Sequence, residues 1–108
     1  MQEIIEKEIK AILEILKKKD ADYSGDTPLS NFNMAKLLGI SPFQGVLLRM
    51  GDKFSRICSL SKKAGEVKEE TIKDTLRDLA GYALIALAIR ERENEDAEIQ
   101  IISGRWKG

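Results

Sequence analysis

Apolar side chains at helical spacing, in three separate stretches, are the feature that most restricts how this 108-residue chain can fold. In each stretch apolar residues recur every three or four positions, the pattern of a helix that buries one face. The stretches cover about 2–18, 42–62 and 68–92. We therefore predict a single all-α domain, a compact helical bundle of three long helices plus one short helix.

Local signals set the expected helix boundaries. Ser41-Pro42 has an N-cap residue followed by proline at the first helical position, and Ala64-Gly65 is a typical helix end. Between the first two long helices, Asp20–Asn33 is rich in turn-forming residues and predicts a long functional loop. A short helix is expected over about Asn33–Leu38, ending at Gly39.

Three predicted core stripes follow from the same spacing. They are Ile5, Ile9, Ile12, Leu13 and Leu16; Val46, Leu47, Met50, Phe54, Ile57 and Leu60; and Ile72, Leu76, Leu79, Ala83 and Leu87. Beyond Arg92 we expect an extended C-terminal tail over about 93–108, in which EIQII forms a short strand or an arm. A chain of this length buries a modest fraction of its surface. With Trp106 and EIQII in the tail, this predicts a homo-oligomer.

Composition removes several classes of function. Acidic and basic residues number 18 each, so no global field attracts a membrane or an extended nucleic acid. The chain has no histidine and one cysteine, which excludes histidine acid–base chemistry, an internal disulfide and a cysteine-based zinc site. A bound metal would need oxygen ligands and would be magnesium, manganese or calcium. The charged N-terminus is unlike a signal peptide, so we expect a cytoplasmic protein.

An acidic row on the last helix is the first candidate site. Glu70, Asp74 and Asp78 are four residues apart, and like charges at this spacing weaken a helix. A divalent cation held by these three carboxylates would offset the repulsion, as would a basic residue across a helix interface. Neighbouring Arg77 or Lys73 would offset it without any ligand. Asp78 precedes an apolar run, so we expect it in a helix interface, paired with a cation or with an arginine of the preceding helix.

A basic row on the preceding helix is the second candidate site. Arg49, Lys53 and Arg56 are spaced to share one side of a helix. Guanidinium groups match phosphate oxygens well, so these residues are predicted to bind the phosphates of a nucleotide. The same row could pair with the acidic row or face solvent.

The loop supplies the third group of candidates, Asp22, Tyr23, Ser24 and Asn31. A tyrosine ring can stack on a base, and an asparagine amide can hydrogen-bond to the edge of a base. The alternative is that the polar residues satisfy the backbone of their own turns.

With DYSGD, GVLLRMGDKFSRI and ETIKDTLRDLAGYALIAL in view, the chain resembles the nucleotide-modification-associated domain 1 family of small all-α phage and bacterial proteins. The resemblance covers about Lys19–Arg92 and implies a role in nucleotide metabolism. A looser similarity is to the MazG-like all-α nucleoside triphosphate pyrophosphohydrolases, whose two acidic motifs hold magnesium. Here Asp78 stands at the second motif's aspartate, but Thr75 replaces its glutamate and Arg49 replaces an acid of the first.

Three hypotheses remain open at this stage. The chain is a magnesium-dependent pyrophosphohydrolase of (deoxy)nucleoside triphosphates, with Glu70, Asp74 and Asp78 as metal ligands. Alternatively, it is a non-catalytic protein that sequesters a nucleotide or a cyclic nucleotide signal used in host defence. The third hypothesis is a ligand-free helical oligomer. No residue is assigned as a catalytic nucleophile or base.

Overall fold

The computed structural model describes residues 1–22, 37–63, 65 and 69–106, and within them the side chains up to residue 19 and up to residue 98. Three helices account for most of these residues: α1 (Gln2–Asp22), α2 (Pro42–Lys62) and α3 (Glu69–Trp106). The described residues contain no strand, so the predicted all-α fold is confirmed. Helix α1 extends past its predicted end near residue 18 and includes the first three residues of the predicted loop, 20–22. The rest of that loop and most of the predicted short helix lie outside the described residues.

The ends of α2 form as its sequence predicts. The Ser41 hydroxyl accepts a hydrogen bond from the Gln44 backbone N–H at 3.1 Å, and the Gln44 side chain accepts one from the Ser41 backbone N–H at 3.0 Å. This capping box and Pro42 define the start of the helix. After the helix ends, Gly65 has a φ of +98°, a left-handed conformation that glycine adopts without strain.

The C-terminal segment corrects the prediction of an extended tail. Helix α3 continues past Arg92 to Trp106 and includes the EIQII segment that was expected to form a strand or an arm. Between Arg92 and Gly104 the chain has neither glycine nor proline, and its glutamates and Ala97 favour helix. No strand is present in the described part of the chain with which the β-branched residues of EIQII could pair. The 38 residues of α3 span about 57 Å, which is most of the molecule's longest dimension of 66 Å.

The core lies between α2 and α3. Val46 is fully buried against Ala86 and Ile89, which are 7% and 5% exposed. Further partly buried side chains complete this cluster: Phe43, Met50, Tyr82 and Ile85. The guanidinium of Arg90 lies 5.2 Å from the centre of the Phe43 ring, a cation–π contact at one end of the cluster.

The predicted core stripe of α3 is only partly correct. Leu76 and Leu87 are 47% and 62% exposed, while Ile72, Leu79 and Ala83 are half-buried. The side of α3 that packs against α2 instead carries Thr75, Ala86 and Ile89. Thr75 is tolerated there because its hydroxyl donates a hydrogen bond to the Thr71 carbonyl at 2.8 Å.

The predicted stripe of α1 is also largely exposed. Ile5, Ile9 and Leu13 are 50%, 57% and 47% exposed. The helix packs on α3 through Ile12 and Leu16, which lie beside Gly81. A β-carbon at position 81 would lie 3.6 Å from a methyl group of Leu16 and 4.0 Å from one of Ile12. Glycine therefore permits a close approach of α1 to α3 at this point.

We predict that a small and a large substitution at Gly81 have opposite effects on stability, because the small one gains helix propensity and the large one disturbs packing. Gly81→Ala should stabilise the protein by about 1 kcal/mol, because alanine favours helix and its methyl group would make ordinary contacts. Gly81→Leu should destabilise it, because the larger side chain would displace α1. Both effects are measured by urea unfolding.

Gly51 of α2 provides the matched control. A β-carbon there would meet no atom within 4 Å. Gly51→Ala and Gly51→Leu should therefore both be stabilising. Equal unfolding midpoints for the two leucine variants would show that α1 does not pack at Gly81.

Candidate functional site

Arg77 is the centre of a charged cluster that joins α1 to α3. Its Nε donates to one Glu8 carboxylate oxygen at 2.7 Å, and its Nη2 donates to the other at 3.1 Å. Its Nη1 donates to Asp74 at 2.8 Å and lies 3.6 Å from a carboxylate oxygen of Glu70. One guanidinium thus faces three carboxylates, and its bidentate contact crosses between helices.

This arrangement shifts the pKa values of both Glu8 and Arg77. The hydrogen bonds from Arg77 lower the pKa of Glu8 below its ordinary value of 4.5, with smaller contributions from the charges of Arg77, Lys7 and Lys73. Partial burial acts in the opposite direction. The hydrogen bonds to Glu8, and then to Asp74, raise the pKa of Arg77. The Glu8–Arg77 pair is therefore ionised throughout the neutral range.

Asp78 lies in a helix interface, as predicted, but its partner is different from the expected arginine. A carboxylate oxygen of Asp78 is 3.1 Å from the Lys53 ammonium of α2. The two side chains are 35% and 30% exposed, respectively, so the pair is only half-buried. Arg49 and Arg56, the partners expected from the sequence, are exposed on α2.

The acidic row is thus divided between two cations. Each step of four residues turns about 40° around a helix, so Glu70 and Asp78 point in directions about 80° apart. Glu70 and Asp74 reach Arg77 beside α1, whereas Asp78 reaches Lys53 of α2. The three predicted metal ligands consequently do not converge on one point.

In this arrangement Arg77 and Lys53 already contact two of the carboxylates that were predicted to hold magnesium. A divalent cation would have to displace Arg77 from Asp74 and Lys53 from Asp78. Within the described ranges, no group of three or more cysteine, aspartate or glutamate side chains is arranged to hold a metal. The neighbouring basic residue that the sequence offered as the alternative, Arg77, is the one that neutralises Glu70 and Asp74.

The predicted basic row separates in a similar way. Lys53 is half-buried and turned toward α3, while Arg49 and Arg56 remain exposed on the same helix. Neither arginine forms an ion pair with any described residue. Two exposed guanidinium groups thus lie two helical turns apart on α2.

The predicted loop contacts lie outside the part of the chain whose side chains the structure describes. Tyr23, Ser24 and Asn31 lie outside the described residues, as does the side chain of Asp22. Their roles in binding a base or a sugar stay predictions.

Two concave regions lie between α1 and α3. The crevice that contains Asp78, Gly81 and Lys19 has a volume of about 20 Å³, which is room for roughly one water molecule. A more open groove of about 270 Å³ is lined by Glu8, Ile12, Lys73, Leu76 and Arg77. The crevice is too small for a nucleotide, and the groove is close to the lower limit for a small-molecule site.

The sequence pattern predicted part of the charged cluster around Arg77. Arg77 follows Asp74 by three residues and Glu70 by seven, a spacing that places all three on neighbouring turns. Glu8, which makes the bidentate contact, had no signal in the sequence. It lies 69 positions away, and only the packing of α1 on α3 brings it to Arg77.

Comparisons with protein-family models, with curated proteins and with solved structures found no significant match. The resemblances to the nucleotide-modification-associated domain 1 family and to the MazG-like enzymes therefore remain hypotheses. Among the described residues, none of the helices combines the length and hydropathy that a bilayer-spanning segment requires.

We predict that Glu8→Gln lowers the unfolding midpoint at pH 7 because it removes the charged partner of Arg77. The pKa of Glu8 is lower in the folded protein, so its contribution to stability is complete above the unfolded-state pKa. This contribution is lost as the pH falls through the folded-state pKa. The difference between wild type and Glu8→Gln should therefore narrow below pH 4.5.

Glu6→Gln on the exposed side of α1 is the control, because Glu6 forms no ion pair with the described residues. Urea midpoints from circular dichroism between about pH 3 and pH 7 would measure both effects, because this range includes the ordinary pKa values of carboxylates. A Glu8→Gln difference that is the same at every pH would contradict the assignment.

Asp78→Asn should cost less than about 1 kcal/mol of unfolding free energy, since a half-exposed ion pair contributes little. Lys53→Gln should have a similar effect, and the double variant should lose less than the sum of the two. A double-mutant cycle of urea unfolding measures the coupling. A loss of several kcal/mol would instead mean that the charge is buried.

Proposed function

We propose that this chain is a nucleotide-binding protein that holds the phosphates of its ligand through Arg49 and Arg56 and does not hydrolyse them. The exposure of these two arginines on α2, without an ion-pair partner among the described residues, is the observation that carries the proposal. Arginine binds phosphate by charge-assisted, often bidentate hydrogen bonds. The resemblance to nucleotide-associated phage and bacterial proteins supports the same ligand class.

The positions of the carboxylates favour binding over hydrolysis. Pyrophosphohydrolysis by the MazG-like route would need Glu70, Asp74 and Asp78 to act as one set of magnesium ligands. In this structure Arg77 and Lys53 divide these carboxylates between them. A protein that binds phosphate directly through arginine needs no metal, and the ligand is a linear or a cyclic nucleotide.

Thermal unfolding with a panel of linear and cyclic nucleotides, each with and without magnesium, tests the proposal. A true ligand should raise the unfolding temperature to a similar extent in both conditions. Arg49→Ala and Arg56→Ala should each weaken binding by roughly tenfold or more, because each removes a charged hydrogen-bond donor. Lys62→Ala, at the exposed end of the same helix, should have little effect.

Two different results would contradict the proposal. Magnesium-dependent release of pyrophosphate that Asp74→Asn abolishes would replace the proposal with the hydrolase hypothesis. No stabilisation by any nucleotide, with or without magnesium, would contradict nucleotide binding.

A ligand-free helical oligomer is the second candidate. It is favoured by the large number of apolar side chains that are exposed on all three helices, among them Ile9, Leu48, Phe54 and Leu87 at 57%, 60%, 62% and 62%. Single exposed apolar residues are common on protein surfaces, but extended rows of them indicate contact surfaces.

A further inference from the structure

Helix α3 has a third face that neither α1 nor α2 covers. We call it the α3 stripe: Leu76, Ala80, Ala83 and Leu87. Leu76 and Leu87 are 47% and 62% exposed, and the two alanines are half-buried. The neighbouring Leu84 is also 47% exposed. The stripe is apolar over three helical turns, which is the length of a typical helix–helix contact.

The α3 stripe is palindromic. Read from either end, its residues are leucine, alanine, alanine and leucine, separated by four, three and four positions. The alternation of three and four is the spacing of helices that pack along a seam. An antiparallel copy of α3 would place Leu76 opposite Leu87 and Ala80 opposite Ala83. The small alanines at the centre would allow the two helices to approach closely.

The charges at the ends of the stripe are complementary to each other. Lys73 lies one turn before Leu76, and Glu91 lies one turn after Leu87; both are exposed. In an antiparallel pair, Lys73 of each copy would lie opposite Glu91 of the other. A parallel pair would place lysine against lysine and glutamate against glutamate, which is unfavourable.

We infer that this chain forms a two-fold symmetric dimer in which the α3 stripes of two copies pack antiparallel. A symmetric interface requires a surface that is complementary to itself, and the order and charge of the stripe meet that requirement. An interface with a different protein would not require the stripe to be complementary to itself, so it would not explain the palindromic order. The inference is independent of the proposed ligand, because the stripe contains none of the proposed phosphate-binding residues.

The groove beside the stripe places α1 at the edge of the same interface. Ile12 of α1 and Leu76 of the stripe line it together. Ile9 and Leu13, which adjoin Ile12 on α1, are 57% and 47% exposed. Burial of these residues together with the α3 stripe would give the dimer a larger apolar contact than α3 alone provides.

Sedimentation equilibrium tests the inference on the full chain. The wild type should be a dimer, and Leu76→Lys and Leu87→Lys should each raise the dissociation constant by roughly a hundredfold or more, because each change occurs twice in a symmetric interface. Leu48→Lys on α2 is the matched control, since Leu48 is 60% exposed but lies outside the stripe. A wild type that stays monomeric at millimolar concentration would overturn the inference.

Charge reversal tests the orientation. Lys73→Glu and Glu91→Lys should each weaken the dimer, and the double variant should recover much of the loss. Failure of the double variant to recover would contradict the antiparallel pairing.

Cysteine cross-linking tests the register and does not depend on weakened variants. In a Cys58→Ser background, a mixture of Leu76→Cys and Leu87→Cys chains should form a disulfide-linked dimer under mild oxidation. Leu76→Cys alone should not, because the two cysteines of an antiparallel pair would be about 16 Å apart along the helices. Efficient cross-linking of Leu76→Cys with itself would instead establish a parallel arrangement and refute the proposal.

Discussion

The arrangement of this chain depends on α3, because it is the helix against which both of the others pack. Helix α2 packs against it through the Val46, Ala86 and Ile89 core, and α1 packs against another side at Gly81. Among the described residues, α1 and α2 make no comparable contact with each other. The two contacts differ in kind, since one is an apolar cluster and the other combines a close helix approach with the bidentate Glu8–Arg77 pair.

Because α1 and α2 pack on different sides of α3, the acidic residues of α3 pair with different cations. Both sides of α3 that face another helix carry acids of the same row. Each acid contacts a cation, either on the helix that it faces or on a nearby turn of α3. Arg77 therefore has a structural role, because it neutralises Glu70 and Asp74 while it ties α1 in place. Arg49 and Arg56 of α2 have no ion-pair partner among the described residues, and the proposed function assigns them to the phosphates of a ligand. Arg77 and Lys53 thus contribute to the packing of the helices, whereas the proposed ligand contacts belong to Arg49 and Arg56.

The apolar residues show a parallel division. The core between α2 and α3 is small, and many apolar side chains among the described residues are exposed. For a domain of about a hundred residues this is unfavourable in isolation, because burial of apolar surface is the main term that offsets the loss of conformational entropy. The proposed dimer would bury those of the α3 stripe. In that dimer α3 would provide one side for α1, one for α2 and one for a second copy.

The sequence by itself determined the three long helices, the N-cap at Ser41 and the helix end at Gly65, because these depend on hydrogen bonds and backbone preferences of residues close in the chain. It also indicated that Asp78 would lie in an interface and that Arg77 was available to its acidic neighbours. The sequence was misleading at the C-terminus, where β-branched residues in EIQII suggested an extended segment although the absence of a breaker let the helix continue. Only the tertiary structure decided which face of each helix is buried, that Asp78 meets Lys53, and that Glu8 meets Arg77. The physical reason is that periodicity shows which residues share a face, whereas the rotation of one helix against another depends on packing between residues far apart in the chain.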